Sequence, residues 1–566
     1  MVVSDCEEIA DQTKIAELAL FVASIIFTFA FAILFLSATS FLLKGSITFL
    51  PFILSLPISL FYCFWNAKSS LTLLSKKLLA WGCILFLLSL VISIIISSLF
   101  YDMSWDGQAY HQEAILKLQG GWNPFWEKLP ETEASAIWLN YYAKASWIIA
   151  AASYQVTHQI ETAKLFNILF IAASFLMSFS VLLLSLKLRK KEAVFISLLF
   201  ALNPVAVCQV LSFYVDGQLA SILLSFACVS YLLATKPNYT KTLLPLLAFN
   251  ICILVNIKFT AVIYTVIFIF GLIVWLFIKS SRWRYQSLGI SLVSLSIGLF
   301  FIGYNPYVRN TTEMGHPFYP IYGSKPADLI SVQVPKNFSD NSFENLFLSL
   351  FSKSDDMPAT TAEPKVPLTL GSSEIRAFFN ADVRMGGFGP LFSGAVLLSL
   401  IILSIAAWSN FEGVQALLFM TWVLLFSVFV NPQAWWARYA PQLWLVAPFS
   451  LVLTTLRQDH AFTRRSLKLL GRLLALILSL NLLLISGAYL YQNTKSSWEI
   501  RHQLRALAVN KNSFVVVYFQ DFASNRARFF EYGINFSEVP EAKKLPCTSP
   551  LTFVHSNTLF CLKSAT

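Results

Sequence analysis

The stretch LLAWGCILFLLSLVISIIISSLF, residues 78–100, contains no charged side chain. The hydrocarbon core of a bilayer needs about 20 apolar residues per helix, so this stretch is long enough to cross a membrane. Similar stretches recur along the 566-residue chain, which is 57% hydrophobic and only 13% charged. Soluble domains carry about 25% charged residues. The composition therefore excludes a soluble enzyme, a disordered scaffold and a secreted disulfide-rich module, and it predicts an all-α polytopic membrane protein.

The apolar segments predict about thirteen transmembrane helices. They cover residues 16–43, 47–64, 78–100, 162–186, 193–211, 217–234, 242–257, 259–278, 286–304, 387–408, 414–431, 441–456 and 470–492. We divide the chain into an N-terminal two-helix extension over 1–77, a transmembrane core over 78–492 and a tail domain over 493–566.

The basic residues predict the orientation of the chain. The 41 Lys and Arg exceed the 30 Asp and Glu by 11, and such an excess marks cytoplasmic loops in membrane proteins, so no nucleic-acid partner is needed to explain it. Basic clusters lie at 68–77, 189–191, 236–241, 279–284 and 457–472, and the alternation of thirteen spans puts all five on one side. We expect that side, and the N-terminus, to be cytoplasmic.

This orientation leaves two outer loops, 101–161 and 305–386, and the tail on the extracytoplasmic side. The aromatic-rich stretch 134–156 suits a helix lying in the membrane interface, although a re-entrant segment remains an alternative. The strand-like run FVVVYF at 514–519 predicts a small α/β or β-rich appendage. Cys547 and Cys561 in the tail either form a disulfide, which an oxidising compartment allows, or remain two free thiols.

The first outer loop gathers candidate catalytic acids directly after the span 78–100. In YDMSWDGQAYHQEAILKLQGGWNPFWE, residues 101–127, these are Asp102, Asp106 and Glu113, with His111 among them. Burial beside apolar walls raises the pKa of a carboxyl group, which suits a general base. The alternative is a solvated loop with an N-capping Asp. Asp216, at the start of the span 217–234, is either a second acid of the same site or a helix cap.

Cations face the same compartment from four other places. Lys258 lies between the spans 242–257 and 259–278, and Arg309 and His316 lie in IGYNPYVRNTTEMGHPFYPIYG at 302–323. Arg384 lies in NADVRMGGFGPLF at 380–392, and Arg438 in NPQAWWARYAPQLW at 431–444. Each Arg either snorkels to the head groups or binds a phosphate through two nitrogens. Together these cations predict an anionic lipid head group held near the acids.

These segments resemble the GT-C superfamily of integral-membrane glycosyltransferases, which includes protein O-mannosyltransferases and the bacterial aminoarabinose transferase. WDGQAYH at 105–111 is similar in place and character to the catalytic segment of that group. RNTTEMGHPFYP at 309–320 is similar to its RN…GNPxYP element, with His316 where Asn is common, and GGFGPLF and ARYAPQLW also resemble its segments.

The resemblance implies a sugar donor linked to polyprenyl phosphate and an inverting transfer to a cell-surface glycan, lipid or protein. Asp106 is the implied general base, and Asp102, His111 or Asp216 would position the acceptor. Arg309, Arg438, Arg384, Lys258 and His316 are the implied partners of the donor phosphate. It implies no required cofactor and no resident metal site, and leaves a divalent cation open.

The resemblance also implies a multi-pass protein of the bacterial inner membrane with its active site on the extracytoplasmic side.

Two other functions fit the composition. A transporter or lipid-carrier flippase would carry polar groups at the membrane midplane, but the acids collect at one face, with Asn250 and Asn256 as the main exceptions. A glycan polymerase or ligase of another membrane fold would share the outer arginines.

Overall fold

The computed structural model describes residues 2–323, 326–328, 330–409, 414–456, 461–509 and 513–564, so Arg457 of the last basic cluster lies outside the described residues. The α-helices are α1 Val2–Leu42, α2 Leu50–Ser70, α3 Lys76–Leu99, α4 Gln112–Gln119, α5 Ala136–Tyr141, α6 Ala145–Thr157, α7 Leu165–Leu184, α8 Lys190–Ala201, α9 Pro204–Gln209, α10 Asp216–Thr235, α11 Thr240–Leu254, α12 Phe259–Ile278, α13 Arg284–Ser296, α14 Arg309–Met314, α15 Ser342–Leu350, α16 Ser372–Ala377, α17 Phe392–Ser409, α18 Val414–Phe429, α19 Val446–Leu453, α20 Ala461–Val509 and α21 Asn525–Glu531. The strands are β1 Ser513–Tyr518, β2 Phe536–Glu538, β3 Leu551–Thr552 and β4 Leu559–Ser564.

The fold is that of a polytopic helical membrane protein. Within the described ranges, nine helices are long and apolar enough to cross a membrane, namely α1, α2, α3, α7, α10, α12, α13, α17 and α20 with their flanking turns. The other four predicted spans form shorter helices: 193–211 becomes α8 and α9, 242–257 becomes α11, 414–431 becomes α18 and 441–456 contains α19. In the first of these, Asn203 caps a new helix that begins at Pro204, because proline is tolerated in a first turn but not in a helix interior.

The first helix lies inside the bundle. From Ala16 to Phe41 most of its apolar side chains are buried, and α1 packs against α2, α7 and α11. The hydroxyl of Ser180 in α7 donates to the carbonyl of Ala16 at 3.0 Å. The predicted extension 1–77 therefore contributes a central helix to the packing.

The two outer loops and the tail meet at one end of the bundle. The ammonium of Lys144 in the first loop lies 2.8 Å from Oδ1 of Asn305 in the second, and the hydroxyls of Tyr101 and Tyr532 are 2.6 Å apart. At the opposite end, Asn66 donates to the carbonyl of Lys241 at 3.0 Å. The loops with the candidate acids and the connections with basic residues thus lie at opposite ends of the bundle.

The stretch 134–156 does not form one helix. It forms α5 and α6, and α5 ends before Tyr142, where the backbone is extended. Residues 145–153 of α6 are all buried in the protein. The expectation of a single helix lying in the membrane interface is therefore wrong, because α6 packs against α4 in the interior.

The tail is a small mixed domain carried by a long helix. At a rise of 1.5 Å per residue, the 49 residues of α20 extend over roughly 70 Å, which exceeds the bilayer core of about 30 Å. The strand order is β2-β1-β4-β3, with β1 parallel to β2 and antiparallel to β4. Ile500 and Leu504 of α20 pack with Val515 and Phe529 in the core of this domain, so the tail begins inside a helix that continues past residue 492. Cys547 and Cys561 form a disulfide.

A buried ion cluster joins the tail to the first outer loop. Arg528 of α21 donates to Oε1 of Glu161 at 2.6 and 3.0 Å and to the carbonyl of Asp102 at 2.6 Å. Lys164 pairs with the other carboxylate oxygen of Glu161. All three ionic side chains are buried. The tail therefore contacts the loop that carries Asp106 four residues downstream.

Candidate active site

Arg438 forms the centre of the candidate site. It lies in a short 3₁₀ turn, 437–439, between α18 and α19. The amide of Asn431 donates to the carbonyl of Tyr439 at 3.0 Å, and the hydroxyl of Tyr264 donates to the same carbonyl. Ala437 and Ala440 on either side are buried. These contacts fix the turn, so that the guanidinium is held among residues of other segments.

Three carboxylates surround the Arg438 guanidinium. Its Nε lies 2.8 Å from Asp216, its Nη1 3.1 Å from Asp382 and its Nη2 3.0 Å from Asp106. Guanidinium is planar, carries five N–H donors and stays charged, so one side chain is able to serve all three acids. The cluster joins four segments that are distant in the sequence.

Asp216 is the buried anchor of this cluster. It begins α10 and is 0% exposed. Besides the contact with Arg438, it accepts hydrogen bonds from Lys258 at 2.6 Å and from Nε2 of Gln209 at 3.2 Å. The Lys258 ammonium also lies 3.9 Å from the centroid of the Tyr439 ring. Because its carboxylate already has three partners, Asp216 fits an orienting role better than the role of a proton acceptor.

Asp106 is the most exposed of the three acids. Its side chain is 21% exposed, compared with 0% for Asp216 and 11% for Asp382. It immediately precedes a π-helical turn, 107–111, that leads into α4. A Cβ atom at Gly107 would collide with the Asp102 carboxylate and the Ser104 hydroxyl, so this turn requires glycine after Asp106. The acid is thus held at the edge of the cluster, open to a second molecule.

Aromatic rings form the walls of the cluster. The Arg438 guanidinium carbon lies 4.4 Å from the centroid of the Tyr214 ring and 5.4 Å from that of Trp436. The indole of Trp436 donates to Asp382 at 2.7 Å. Burial raises the pKa of Asp382, and Arg438 and Arg384 oppose that rise. Water-poor walls of this kind strengthen electrostatic contacts inside a site.

The other candidate acids of the first loop lie apart from Arg438. The Asp102 carboxylate accepts hydrogen bonds from the backbone amides of Ser104 at 2.8 Å and Phe213 at 2.9 Å, which ties two loops together, and burial raises its pKa. Glu113 is buried, and its carboxylate faces Lys117 at 3.6 Å and Arg526 of the tail at 3.7 Å. Burial raises the pKa of Glu113 as well.

His111 is buried behind the cluster. The indole of Trp147 donates to its Nδ1 at 2.6 Å, and its ring lies 6.3 Å from that of Tyr214, between centroids. Burial lowers the pKa of His111 to about 4. The imidazole is therefore neutral at pH 7, and since Nδ1 accepts a hydrogen bond, its proton is on Nε2.

Arg309 and His316 hold the backbone of the loops together. Arg309 donates to the carbonyls of Pro124 and Glu127, both at 2.8 Å, and pairs with Glu313 at 2.7 Å. Nδ1 of His316 accepts from the amide of Phe318 at 3.1 Å. The structure thus does not bring these two candidates into the cluster around Arg438.

Arg384 lies beside the cluster. Its guanidinium carbon is 5.2 Å from the centroid of the Trp436 ring, and it donates to Oε1 of Gln333 at 2.8 and 3.0 Å. Of the five candidate cations, the structure brings Arg438 and Lys258 together and places Arg384 next to them. In the part of the chain that the structure describes, no set of three or more His, Cys, Asp or Glu side chains is placed to hold a metal ion.

Asp382 is the site residue that sequence reasoning missed. It lies two residues before Arg384, one of the candidate cations. The polar residues Asn380 and Asp382, close to Arg384, were the available sequence signal for this part of the site. Tyr214, Trp436 and Tyr439 were also missed, because aromatic residues are common throughout this chain.

No protein-family model matches this sequence, and no curated protein matches it. Among solved structures, the chain is similar to ArnT from Cupriavidus metallidurans bound to undecaprenyl phosphate, with 12% sequence identity, a TM-score of 0.45 and coverage of 82% of this chain and 86% of ArnT. It is similar to the apo state of the same protein with 12% identity and a TM-score of 0.45, over 81% of this chain and 86% of ArnT.

Proposed function

We propose that this chain is a glycosyltransferase that moves a sugar from a polyprenyl-phosphate-linked donor to an acceptor hydroxyl. The observation that carries the proposal is the contact of Arg438 with Asp106, Asp216 and Asp382, beside Lys258. A pair of cations next to a partly open carboxylate, where apolar helices end, suits an anionic lipid head group held beside a base. The resemblance of the loop segments to GT-C enzymes supports the same reaction.

Asp106 is the proposed general base. Its carboxylate is the most exposed of the three, and Arg438 fixes its position through a contact of 3.0 Å. A base has to reach within hydrogen-bond distance of the proton it removes, and Asp216, buried and fully occupied by partners, does not offer this. Asp216 and Asp382 hold the guanidinium, which in turn holds Asp106.

In the proposed step, the hydroxyl oxygen of the acceptor forms a bond to the anomeric carbon of the donor sugar. The hydroxyl proton passes to Asp106. The bond between the anomeric carbon and the phosphate oxygen breaks, and polyprenyl phosphate leaves with the electron pair. Since attack and departure occur on opposite faces, the anomeric configuration is inverted.

Lys258 and Arg438 stabilise the negative charge of the leaving phosphate. An ammonium has three N–H donors, and among the described residues the Lys258 ammonium makes one hydrogen bond, to Asp216. Its remaining donors are able to bind phosphate oxygens. Donors aimed at developing charge in a water-poor site supply a large part of catalysis. Arg384, stacked on Trp436, is the third cation within reach of the same head group.

We expect the reaction to need no cofactor, because Arg438 contacts all three carboxylates that converge in the site and Lys258 contacts one of them. Chelation of divalent cations should then leave the transfer rate unchanged.

We place the site and the tail on the extracytoplasmic face of a bacterial inner membrane, with the N-terminus inside. The partners are the lipid-linked donor, the bilayer and a glycan, lipid or protein acceptor.

The test is transfer of labelled sugar from a polyprenyl-phosphate donor to a membrane extract by the purified protein in lipid nanodiscs, with and without EDTA. We expect labelled product and release of polyprenyl phosphate in equal amounts. Failure to release polyprenyl phosphate from any donor, together with movement of the intact donor across liposome membranes, would contradict the proposal and favour a flippase.

A further inference from the structure

A polar cleft opens in the second outer loop near the carboxylate cluster around Arg438. Its cavity volume is about 380 Å³, within the range of roughly 300–1,000 Å³ that is usual for ligand pockets. One wall is the segment 353–363, held by the bond from the amide of Lys353 to the carbonyl of Glu363 at 2.9 Å. The other wall is α16. The polar side chains that matter for binding are Asp355, Asp356, Thr361, Ser373 and Arg376.

The chemistry of the cleft suits a ligand rich in hydroxyl groups. Asp355 and Asp356 supply acceptors, Arg376 supplies donors, and Thr361 and Ser373 supply both. In the described part of the chain, the Arg376 guanidinium has no hydrogen-bond or ionic partner, whereas Lys353 is neutralised by Glu363 at 2.8 Å. Only Ala377 and Met385 add apolar surface. An acyl chain would therefore find no wall to pack against.

A short segment of the second outer loop connects the cleft to the candidate active site. Asp382 contacts Arg438, and Met385, three residues further along the chain, lines the cleft. The guanidinium of Arg384 also donates to the carbonyl of Asp356 on the opposite wall. Three residues of extended chain span at most about 10 Å. The Cα atom of Met385, at the cleft, therefore lies within about 10 Å of the Cα atom of Asp382, which contacts Arg438.

We propose that this cleft binds an uncharged saccharide portion of the acceptor, with the sugars beyond the reacting one lying against Arg376, Asp355 and Asp356. This proposal rests on the proposed glycosyltransferase function and narrows the acceptor to a molecule that carries a glycan of more than one sugar. Arg376 and the two carboxylates hold the glycan by hydrogen bonds to its hydroxyls. The reacting sugar, at the end of the bound glycan, then presents its hydroxyl to Asp106.

The test measures saccharide binding without any donor, so that it does not depend on transfer. The full-length protein in nanodiscs is mixed with uncharged hexose oligomers of two to six units, and binding is followed by saturation-transfer NMR. The variants are Arg376→Ala, which removes the free guanidinium, and Ser373→Trp, which fills the cleft from an exposed position. The matched control is Arg505→Ala, because Arg505 is exposed on α20 outside the cleft.

We expect wild type and Arg505→Ala to bind at least one oligomer with equal affinity. Both cleft variants should bind it at least about tenfold more weakly, which is the effect of losing a charged hydrogen-bond partner. In transfer assays with membrane extract, Arg376→Ala should raise the half-saturating acceptor concentration by a similar factor. Equal binding and equal half-saturation in wild type and both variants would overturn the cleft proposal and leave the glycosyltransferase proposal intact. Oligomer binding that depends on Arg376, in a protein that never releases polyprenyl phosphate, would support the cleft and overturn the transfer reaction.

Discussion

Nη2 of Arg438 lies 3.0 Å from Oδ2 of Asp106, although the two residues are 332 positions apart in the chain. The same guanidinium contacts Asp216 through Nε and Asp382 through Nη1. One side chain thus sets the position of the partly open acid relative to two occupied acids. This arrangement makes Arg438 the residue on which the geometry of the site depends.

Arg438→Lys should reduce kcat by about 100-fold or more, the usual cost of removing one preorganised donor in an active site. A lysine ammonium is a single point of charge on a flexible stem, so it does not hold three carboxylates at once. The measurement is the rate of labelled-sugar transfer in nanodiscs, with the melting temperature as a check on folding. Arg282→Lys, an exposed position at the opposite end of the bundle, is the matched control. Transfer by Arg438→Lys above half the wild-type rate would contradict the central role of the guanidinium.

His111 should make the stability of the protein fall in acid. Burial lowers its pKa from 6.5 to about 4, so folding keeps the ring neutral while the unfolded chain binds a proton. The stabilisation that comes from the neutral ring is fully present above pH 6.5. As the pH falls toward 4, the unfolding free energy drops by roughly 3 kcal/mol. His111→Gln removes this titration. We expect the difference in unfolding free energy between the two proteins to change across this window, and a constant difference would show that the ring titrates normally.

Glu531 should make the docking of the tail weaker as the pH rises. The amide of Ile160 donates to its carboxylate at 2.7 Å, and burial raises the pKa of Glu531 from 4.5 to about 7. The docked state favours the protonated carboxyl group of Glu531. Its stabilisation of the docked tail is therefore present below pH 4.5 and is lost as the pH rises through 7. Between pH 5 and pH 7, limited proteolysis of the tail should accelerate at least about tenfold relative to Glu531→Gln at the same pH. Equal rates for the two proteins at every pH would refute this.

Arg528→Ala should destabilise the protein by about 3–5 kcal/mol, because it leaves the buried Glu161 carboxylate without one of its two cations. It also removes the contact with the carbonyl of Asp102. Chemical unfolding in detergent measures the loss. Arg505→Ala is the control, since Arg505 is exposed on α20, and it should cost about 0.5 kcal/mol or less. If both variants lose the same amount, the buried cluster is not the main anchor of the tail.

The membrane class and the grouping of candidate acids and cations at one end of the bundle were predictable, because hydropathy and loop charge follow from the order of residues along the chain without any tertiary contact. The alternation of spans places Asp106, Asp216, Lys258 and Arg438 on one side, and the structure brings these four together. The helix count was less predictable. Pro204 follows an apolar run without interrupting its hydropathy, yet it separates α8 from α9.

The pairing of the cations was not predictable. Arg309 and Arg438 both occur among aromatic and polar residues at the outer end of a predicted span, and nothing in the local sequence distinguishes them. The partners of Arg309 include the carbonyls of Pro124 and Glu127, 185 and 182 positions away, and every residue type has such carbonyls. Only the tertiary fold decides that one arginine contacts the backbone and the other contacts carboxylates.

The proposed base is tested most directly by Asp106→Asn, which keeps the shape of the side chain and its contact distance to Arg438 but removes the proton acceptor. Asp340→Asn is the matched control, because Asp340 is exposed in the second outer loop. The measurement is the single-turnover rate of sugar transfer from a polyprenyl-phosphate donor, with donor binding measured in parallel. We predict that Asp106→Asn transfers at least about 100-fold more slowly with donor binding retained, while Asp340→Asn equals wild type. Transfer by Asp106→Asn at the wild-type rate would contradict the account.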